Sequence, residues 1–182
     1  PEGEIEISVD DRMVDIVQGG CDAGIRFGGT VPEDLVAVRL GGELRWVAVA
    51  SPRYLYQHTL PAVPEDLRFH DCIQLRTGQG VIYKWEFRKD EDYRVVDVRG
   101  QVCVSETALA IELALSGAGI AYCLEDRVRD HIRDGSLRIV LPEWAPFEDP
   151  MYLYYPGHRQ VPQGLKELIE VLKEGIETDK EI

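Results

Sequence analysis

Apolar residues form short runs along the chain, and most of these runs have the length of a β-strand. In Glu4–Val9 apolar side chains alternate with polar ones, which predicts a half-buried strand. Residues 84–98 predict a hairpin, because two apolar stretches flank the polar turn Lys89–Asp92. Short runs that are mostly apolar predict strands at Ala23–Phe27, Leu35–Leu40, Leu44–Ala50, Cys72–Leu75, Val102–Val104, Ile120–Leu124, Leu137–Leu141 and Met151–Tyr155.

Apolar residues at helical spacing separate these strands. Ser51 followed by Pro52 is a strong helix start, since serine caps a helix and proline suits its first position. Ser105 is expected to cap the most apolar of the helices. Helices are predicted at residues 13–17, 52–58, 105–115, 127–133 and 165–176.

The order of these elements indicates the fold class. Strands and helices alternate with short connections, which is typical of an α/β protein with helices on both faces of its sheet. The hairpin-rich middle of the chain departs from that rhythm. This departure predicts two lobes, with the chain crossing between them.

Charge and composition limit the function. Hydrophobic residues make up 45% of the 182 residues and charged residues 29%, as in an ordinary globular protein. A formal net charge of -13 repels a phosphate backbone, so DNA would have to be held by another segment. No apolar run approaches the roughly 20 residues that span a membrane. The acidic start Pro1–Glu4 lacks the layout of a secretory signal.

The four cysteines indicate a reducing compartment. They lie far apart in the sequence, at Cys21, Cys72, Cys103 and Cys123, without a Cys-x-x-Cys pair or a nearby histidine. The main expectation is buried free thiols that act as small apolar side chains. A redox-sensing pair is the alternative, and it requires two of these residues to meet in space. We expect no metal and no cofactor.

Three groups of motifs, in this order, resemble a known family. The first is Val14–Gly28 (VDIVQGGCDAGIRFG), and the second combines Val36–Leu40 (VAVRL) with Ala50–Leu55 (ASPRYL). The third group comprises Gly119–Ala121, Gly135–Leu137, Leu141–Trp144 and Tyr155–Pro156. Together they resemble the effector-binding domain of LysR-type transcriptional regulators, from about Ile5 to Leu172. The likeness is to the subgroup that responds to aromatic or other small organic effectors.

The resemblance implies a fold similar to the type 2 periplasmic binding proteins. Two α/β lobes are joined by two crossing strands, and a small organic effector, such as an aromatic compound or a carboxylate, occupies the cleft between them. Lobe I is then expected at residues 1–39 and 121–176, lobe II at 40–120, and a disordered tail at 177–182. The resemblance also implies a bacterial, cytoplasmic, non-enzymatic protein that forms dimers or tetramers when intact.

The chain departs from the family pattern at its N-terminus. Nothing in it resembles the helix-turn-helix through which such regulators bind DNA, or the linker helix that follows. Pro1–Gly3 resembles the turn before the second strand of lobe I, so the first strand and first helix of that lobe are expected to be missing from this chain. The alternative function is an extracytoplasmic solute-binding protein of the same fold, and an enzyme on this fold is a third, weaker hypothesis.

Candidate ligand contacts lie where predicted strands end. Arg26, Phe27 and Gly28 end a strand on the lobe I side, where ligands of open α/β sheets bind. The Arg26 guanidinium would pair with a ligand carboxylate or with a structural acid such as Asp22. Glycine at position 28 would let backbone approach a ligand.

The lobe II candidates lie at helix starts. Ala50, Ser51 and Pro52 join a strand to a helix, where free backbone N–H groups favour an anion, although Ser51 would equally cap its own helix. Ser105, Glu106 and Thr107 repeat this arrangement, and the resemblance places asparagine at the Ser105 position in many members. The Glu106 charge would weaken anion binding if it faces the cleft, and favours the helix start if it faces solvent.

Aromatic and histidine residues are weaker candidates. Tyr122 would present its hydroxyl to the cleft or pack in the core, and we expect Trp46, Trp85 and Trp144 in the core or on the lobe surface. No histidine has a paired Asp and nucleophile at a recognisable spacing, and the sequence contains no Gly-x-Ser-x-Gly or His-Glu-x-x-His motif. The sequence therefore predicts a ligand-sensing domain without catalytic residues.

Overall fold

The structure is a computed structural model in which residues 5–9, 16, 19–28, 35–157 and 161–178 are described, without the side chains of 174–178. The strands are β1 (Gly24–Phe27), β2 (Val36–Leu40), β3 (Leu44–Ala50), β4 (Gln74–Leu75), β5 (Trp85–Lys89), β6 (Asp92–Val96), β7 (Cys103–Val104), β8 (Ala121–Leu124), β9 (Arg138–Val140), β10 (Phe147–Glu148) and β11 (Met151–Tyr155). The α-helices are α1 (Pro52–Tyr56), α2 (Thr107–Leu115), α3 (Arg129–Arg133) and α4 (Gln163–Thr178).

The chain divides into two compact units. Unit 1 comprises residues 1–43 and 149–182, and unit 2 comprises residues 44–148. The boundaries of these units differ from those of the predicted lobes. The first boundary differs by a few residues, and the second by 28, because unit 2 ends at residue 148 whereas lobe II was expected to end at 120. The reason is strand pairing: β8 and β9 both pair with β3, so residues 121–148 fold with unit 2.

Unit 1 is built on an antiparallel sheet in the order β1-β11-β2. Its register places Arg26 opposite Tyr152, and Val38 opposite Leu153. The amphipathic helix α4 lies against this sheet, with Leu165 and Ile169 packed in one apolar cluster with Leu40 and Leu153. A disordered tail was expected from residue 177, but residues 177 and 178 still belong to α4. Residues 179–182 lie outside the described residues.

Two predictions near the N-terminus have different outcomes. Residues 5–9 form no strand, and their apolar side chains are exposed, up to 97% for Val9. A strand requires a neighbouring strand for its backbone hydrogen bonds, and the described residues provide none here. The predicted helix at 13–17 lies outside the described residues, apart from residue 16.

The sheet of unit 2 is centred on β3, which explains why this strand is apolar on both faces. Ala48 and Ala50 pack into one core with Trp85, Phe87 and Tyr122. The neighbouring positions 47 and 49 point to a second core under α2, because successive side chains of a strand face opposite sides. The predicted hairpin is confirmed as β5 and β6, which pair antiparallel from Trp85–Val96 to Lys89–Asp92.

Candidate functional site

The registers of unit 2 define two ends of its sheet. β3 runs antiparallel to β8, with Trp46 opposite Leu124 and Val49 opposite Ala121. A parallel bridge joins Cys72 to Ile120, and β4 pairs in parallel with β7. The strands β4, β7 and β8 therefore end where β3 begins. We call this the Ser105 end, since Ser105 follows β7 there, and the opposite end, where β3 stops, the Ser51 end.

The structure separates two of the predicted contact segments. Ala50, Ser51 and Pro52 lie at the Ser51 end, whereas Ser105, Glu106 and Thr107 lie at the Ser105 end. When the strand registers are extended, Ser51 lies beside Gly119 and Ser105 lies level with Leu124. Gly119 and Leu124 are about five residues apart along β8 and the residues before it. At 3.3 Å per residue this is roughly 16 Å along the strands. A single small effector does not contact both segments, so the prediction that they share one site is wrong.

Ser51 acts as a helix cap. It is 3% exposed, and its Oγ accepts a hydrogen bond from the Tyr54 backbone N–H at 3.4 Å. The helix that it caps, α1, has a single short turn, so few free N–H groups and little dipole remain for a ligand. Of the two alternatives for Ser51, the structure shows the cap.

Ser105, Glu106 and Thr107 differ from that arrangement. Ser105 and Glu106 are exposed and Thr107 is half-buried, at the start of a helix of nine residues, against five in α1. The N-cap is Glu106 rather than the predicted Ser105, and its side chain makes no capping bond. The Ser105 hydroxyl is therefore not committed to closing the helix, and the first turn of α2 keeps N–H groups for another acceptor.

Arg26, Phe27 and Gly28 lie in unit 1, at the end of β1. The Arg26 guanidinium carbon lies 5.2 Å from the centre of the Tyr154 ring, a cation–π contact. A Cβ atom at Gly28 would lie 2.8 Å from an atom of the Tyr152 ring. The space beside this glycine is thus filled by Tyr152, which gives the residue a packing role.

Tyr122 packs in the core instead of presenting its hydroxyl. Its ring stacks on Trp46 at 5.3 Å and on Trp85 at 5.2 Å between centres, and its hydroxyl donates to the Glu86 carbonyl oxygen at 2.5 Å. Burial raises the pKa of this hydroxyl far above its ordinary value. Tyr122 is therefore not available as a ligand contact, and core packing is the alternative that holds.

Tyr83, which the sequence pattern did not indicate as a candidate, forms an aromatic pair with Trp46 at the Ser105 end. Tyr83 is half-buried, its backbone N–H donates to Leu75 O at 2.8 Å, and its ring stacks on that of Trp46 at 6.0 Å. Burial, together with the carboxylates of Glu86 and Glu148, raises the pKa of the Tyr83 hydroxyl to about 12. The local sequence before the hairpin carries no signal for this, because the pairing that places Tyr83 here is long-range.

The cysteines divide into two classes. Cys72 and Cys123 are buried as predicted, whereas Cys21 and Cys103 are exposed, which corrects the expectation for these two. All four thiols are free. In the described residues no group of three or more potential metal ligands comes together. No helix in the same part of the chain is long and apolar enough to cross a membrane.

We expect thiol labelling to separate these classes. Burial raises the pKa of Cys72 and of Cys123 from 9.0 to about 12, so at pH 8 their thiolate fraction falls about a thousandfold. A chromogenic disulfide reagent should label Cys21 and Cys103 quickly in the native protein and the other two only after unfolding. Cys103→Ser should remove one fast equivalent and Cys123→Ser none. Four fast equivalents would contradict the burial described here.

Comparison with known proteins identifies the family. A family model for the LysR substrate binding domain matches residues 1–177. The chain belongs to this family. Two relatives of this LysR substrate-binding domain are a transcriptional regulator of Pseudomonas aeruginosa, 34% identical over 174 residues, and the HTH-type transcriptional regulator PgrR of Escherichia coli K12, 30% identical over 174 residues. Each alignment covers 95% of this chain, and 57% and 58% of the relatives, so the chain spans little more than half their length.

Solved structures agree with the family and the fold. The regulatory domain of AphB in Vibrio vulnificus superposes with a TM-score of 0.76 at 24% identity, over 93% of this chain and 81% of that one. CrgA, a LysR-type transcriptional regulator from Neisseria meningitidis, gives a TM-score of 0.74 at 25% identity, over 88% of this chain and 54% of that one. The fold of the LysR substrate-binding domain is therefore the periplasmic-binding-protein-like one that the sequence predicted.

Proposed function

We propose that this chain is the sensing part of a LysR-type regulator, that it binds a small organic effector, and that DNA is bound by a helix-turn-helix outside this chain. The observation that carries the proposal is the family match over residues 1–177. The net charge of -13 supports the separation of sensing from DNA binding. The relatives are named as transcriptional regulators, which favours this function over the solute-binding alternative.

We further propose that Ser105, Glu106 and Thr107 contact the effector. Ser105 and Glu106 are exposed, the first turn of α2 offers N–H donors, and the half-buried Tyr83–Trp46 pair lies at the same end of the sheet. Such a combination suits an aromatic or aliphatic carboxylate. The contribution of Arg26, Phe27 and Gly28 in unit 1 stays a prediction.

A thermal-shift screen with aromatic acids and other small carboxylates tests the function. An effector at a hundredfold excess over its Kd should stabilise the protein by about 2.7 kcal/mol, which raises the Tm by roughly 5–10 °C for a chain of this size. No stabilisation by any member of a broad screen would count against effector sensing.

Two substitutions with one control test the site. Ser105→Ala should weaken effector binding about two- to tenfold, the effect of one lost hydrogen bond. Glu106→Gln should strengthen the binding of a carboxylate, because it removes a negative charge next to the anion. Ser116→Ala at the other end of α2, where the hydroxyl donates to Leu113 O at 2.7 Å, should leave the affinity unchanged. Equal losses in Ser105→Ala and Ser116→Ala would place the effector elsewhere.

The remaining expectations concern the whole regulator. We propose that it is cytoplasmic, that it forms dimers or tetramers, and that it has no catalytic activity and needs no cofactor. An effector transmits a signal only if it binds one conformational state more tightly than another. Sedimentation of the intact regulator with and without an identified effector is the direct measurement of a change in assembly.

A further inference from the structure

An open cavity of about 310 Å³ lies at the Ser51 end of unit 2, away from the effector contacts proposed above. It is lined by Arg68, Phe69, His70 and Asp71 on one side and by residues 99–101 on the other. Both segments immediately precede strands, since Cys72 bridges to Ile120 and β7 begins at Cys103. The volume lies at the lower limit of small-molecule sites, which run from about 300 to 1,000 Å³.

The walls of this cavity are held together by backbone contacts. The Cys72 N–H donates to Arg99 O, and the Ile120 N–H donates to Asp71 O, both at 2.9 Å. At Gly100 the two segments approach so closely that a Cβ atom would lie 1.9 Å from Cys72 O. The cavity is therefore shaped by fixed main chain rather than by exposed side chains alone, which lowers the ordering cost of binding a ligand.

Two arginines give the cavity its charge. The Nε of Arg68 donates to Glu65 O at 2.8 Å, which anchors the guanidinium. Among the residues that the structure describes, the Arg99 side chain has no ion pair or hydrogen bond. The Asp71 carboxylate balances one of these two positive charges, so the lining keeps a net positive charge in a chain of net charge -13.

Tyr54 holds His70 in this wall of the cavity. Tyr54 Oη accepts a hydrogen bond from the Asp71 N–H at 3.0 Å and lies 3.2 Å from His70 Nδ1. The Asp71 N–H, the Tyr54 hydroxyl and His70 Nδ1 all have a hydrogen-bond partner when the tyrosine hydroxyl donates to Nδ1. A neutral His70 imidazole then carries its proton on Nε2. Burial, followed by the neighbouring His58, lowers the pKa of His70 and favours this neutral form at pH 7.

Phe69 supplies an apolar surface at the same cavity. Its side chain is 81% exposed, which is unusual for a phenylalanine. Two guanidinium groups against one carboxylate, beside an exposed aromatic ring, favour a ligand that has an anionic group and an apolar body. They do not favour a metal ion, because in the described residues no group of three or more potential metal ligands comes together.

We propose that this cavity is a second ligand site, which binds a small organic monoanion with its carboxylate at Arg99 and Arg68 and its apolar body against Phe69. The site is independent of the effector contacts at Ser105, because the two lie at opposite ends of the unit 2 sheet. A carboxylate forms charge-assisted, paired hydrogen bonds with a guanidinium, which makes arginine the suitable partner.

Benzoate is the probe, and amide NMR of the isotopically labelled chain is the measurement. We expect saturable shifts at 68–71 and 99–101 with a Kd on the order of 1 mM, as befits a ligand of this size. Arg99→Gln should weaken benzoate binding about tenfold, or roughly 1.4 kcal/mol. The matched control Arg127→Gln changes the net charge equally at an exposed position outside the cavity, and should have no effect.

A second variant tests the chemical class. Phe69→Ala should weaken benzoate several-fold and leave the binding of inorganic phosphate unchanged. If Phe69→Ala changes the affinities for benzoate and for phosphate equally, the proposal that the ligand has an apolar body is overturned. If Arg99→Gln and Arg127→Gln weaken benzoate binding equally, benzoate is held only by non-specific electrostatic attraction and the proposed site is overturned. Benzoate shifts confined to residues 105–107 would support the effector contacts and overturn this second site.

Discussion

Gly100→Ala should lower the free energy of unfolding of the protein by about 3 kcal/mol or more. The added Cβ atom would lie 1.9 Å from Cys72 O and within 2.9 Å of two further backbone atoms, none of which belongs to a movable side chain. The main chain would have to separate and break the Cys72–Arg99 hydrogen bond that joins the two segments. Thermal unfolding followed by circular dichroism should show a Tm about 6–12 °C lower.

Gly164→Ala is the matched control for this substitution. Apart from its chain neighbours and the backbone of its own helix, no atom lies within 4 Å of a Cβ at this glycine in α4, and alanine is the better helix former. We therefore expect an unchanged or slightly higher Tm. If Gly100→Ala unfolds at the same temperature as Gly164→Ala, the close approach of the 99–101 and 71–72 segments is wrong.

Trp85→Ala should destabilise the protein by about 3–5 kcal/mol, the range for truncating a large buried aromatic side chain. Trp85 is 1% exposed and packs in the core with Phe87, and its ring stacks on Tyr122. Urea unfolding should give a lower midpoint with an unchanged slope, because the surface exposed on unfolding stays nearly the same.

Trp85→Phe keeps an aromatic ring and should cost clearly less than the truncation. Tyr56→Ala is the control for removing an aromatic side chain without a cavity, since Tyr56 is 93% exposed, and it should change stability by less than about 0.5 kcal/mol. A loss in Trp85→Ala no greater than that in Tyr56→Ala would contradict the core described for unit 2.

Much of the fold of this LysR substrate-binding domain followed from local patterns. Within Leu44–Ala50, residues 46–50 are apolar at consecutive positions, and β3 buries both faces under two cores. The hairpin of β5 and β6 was predicted from its polar turn and its flanking apolar stretches. These elements follow from side-chain periodicity, which a single sequence displays directly.

The boundary between the units could not be predicted in the same way. Nothing near Gly119–Tyr122 indicates that the following strands pair back onto β3, because strand pairing joins residues that are far apart in sequence. The same limit applies to Val9, whose alternating neighbours form a strand pattern without a described partner strand. Periodicity predicts an element, and the partners of that element decide where it belongs.

The candidate site was partly misjudged for a related reason. Ser51 and Ser105 both follow a strand and precede a helix, so their sequence contexts look alike. Strand direction distinguishes them. β3, which Ser51 follows, runs antiparallel to β8, whereas β7, which Ser105 follows, runs in the same direction as β4 and β8. The same packing buries Tyr122 and leaves Tyr83 half-buried, and composition and spacing do not show which of the two tyrosines is accessible.

The location of the tryptophans has a practical consequence for spectroscopy. Trp46, Trp85 and Trp144 all belong to unit 2, and unit 1 contains tyrosines but no tryptophan. Indole emission, excited at 295 nm or thereabouts, therefore reports the state of unit 2 alone, whereas far-ultraviolet circular dichroism averages over both units. Coincident melts by the two signals would mean that the units unfold as one cooperative block, and separated melts would assign each transition to its unit without any labelling.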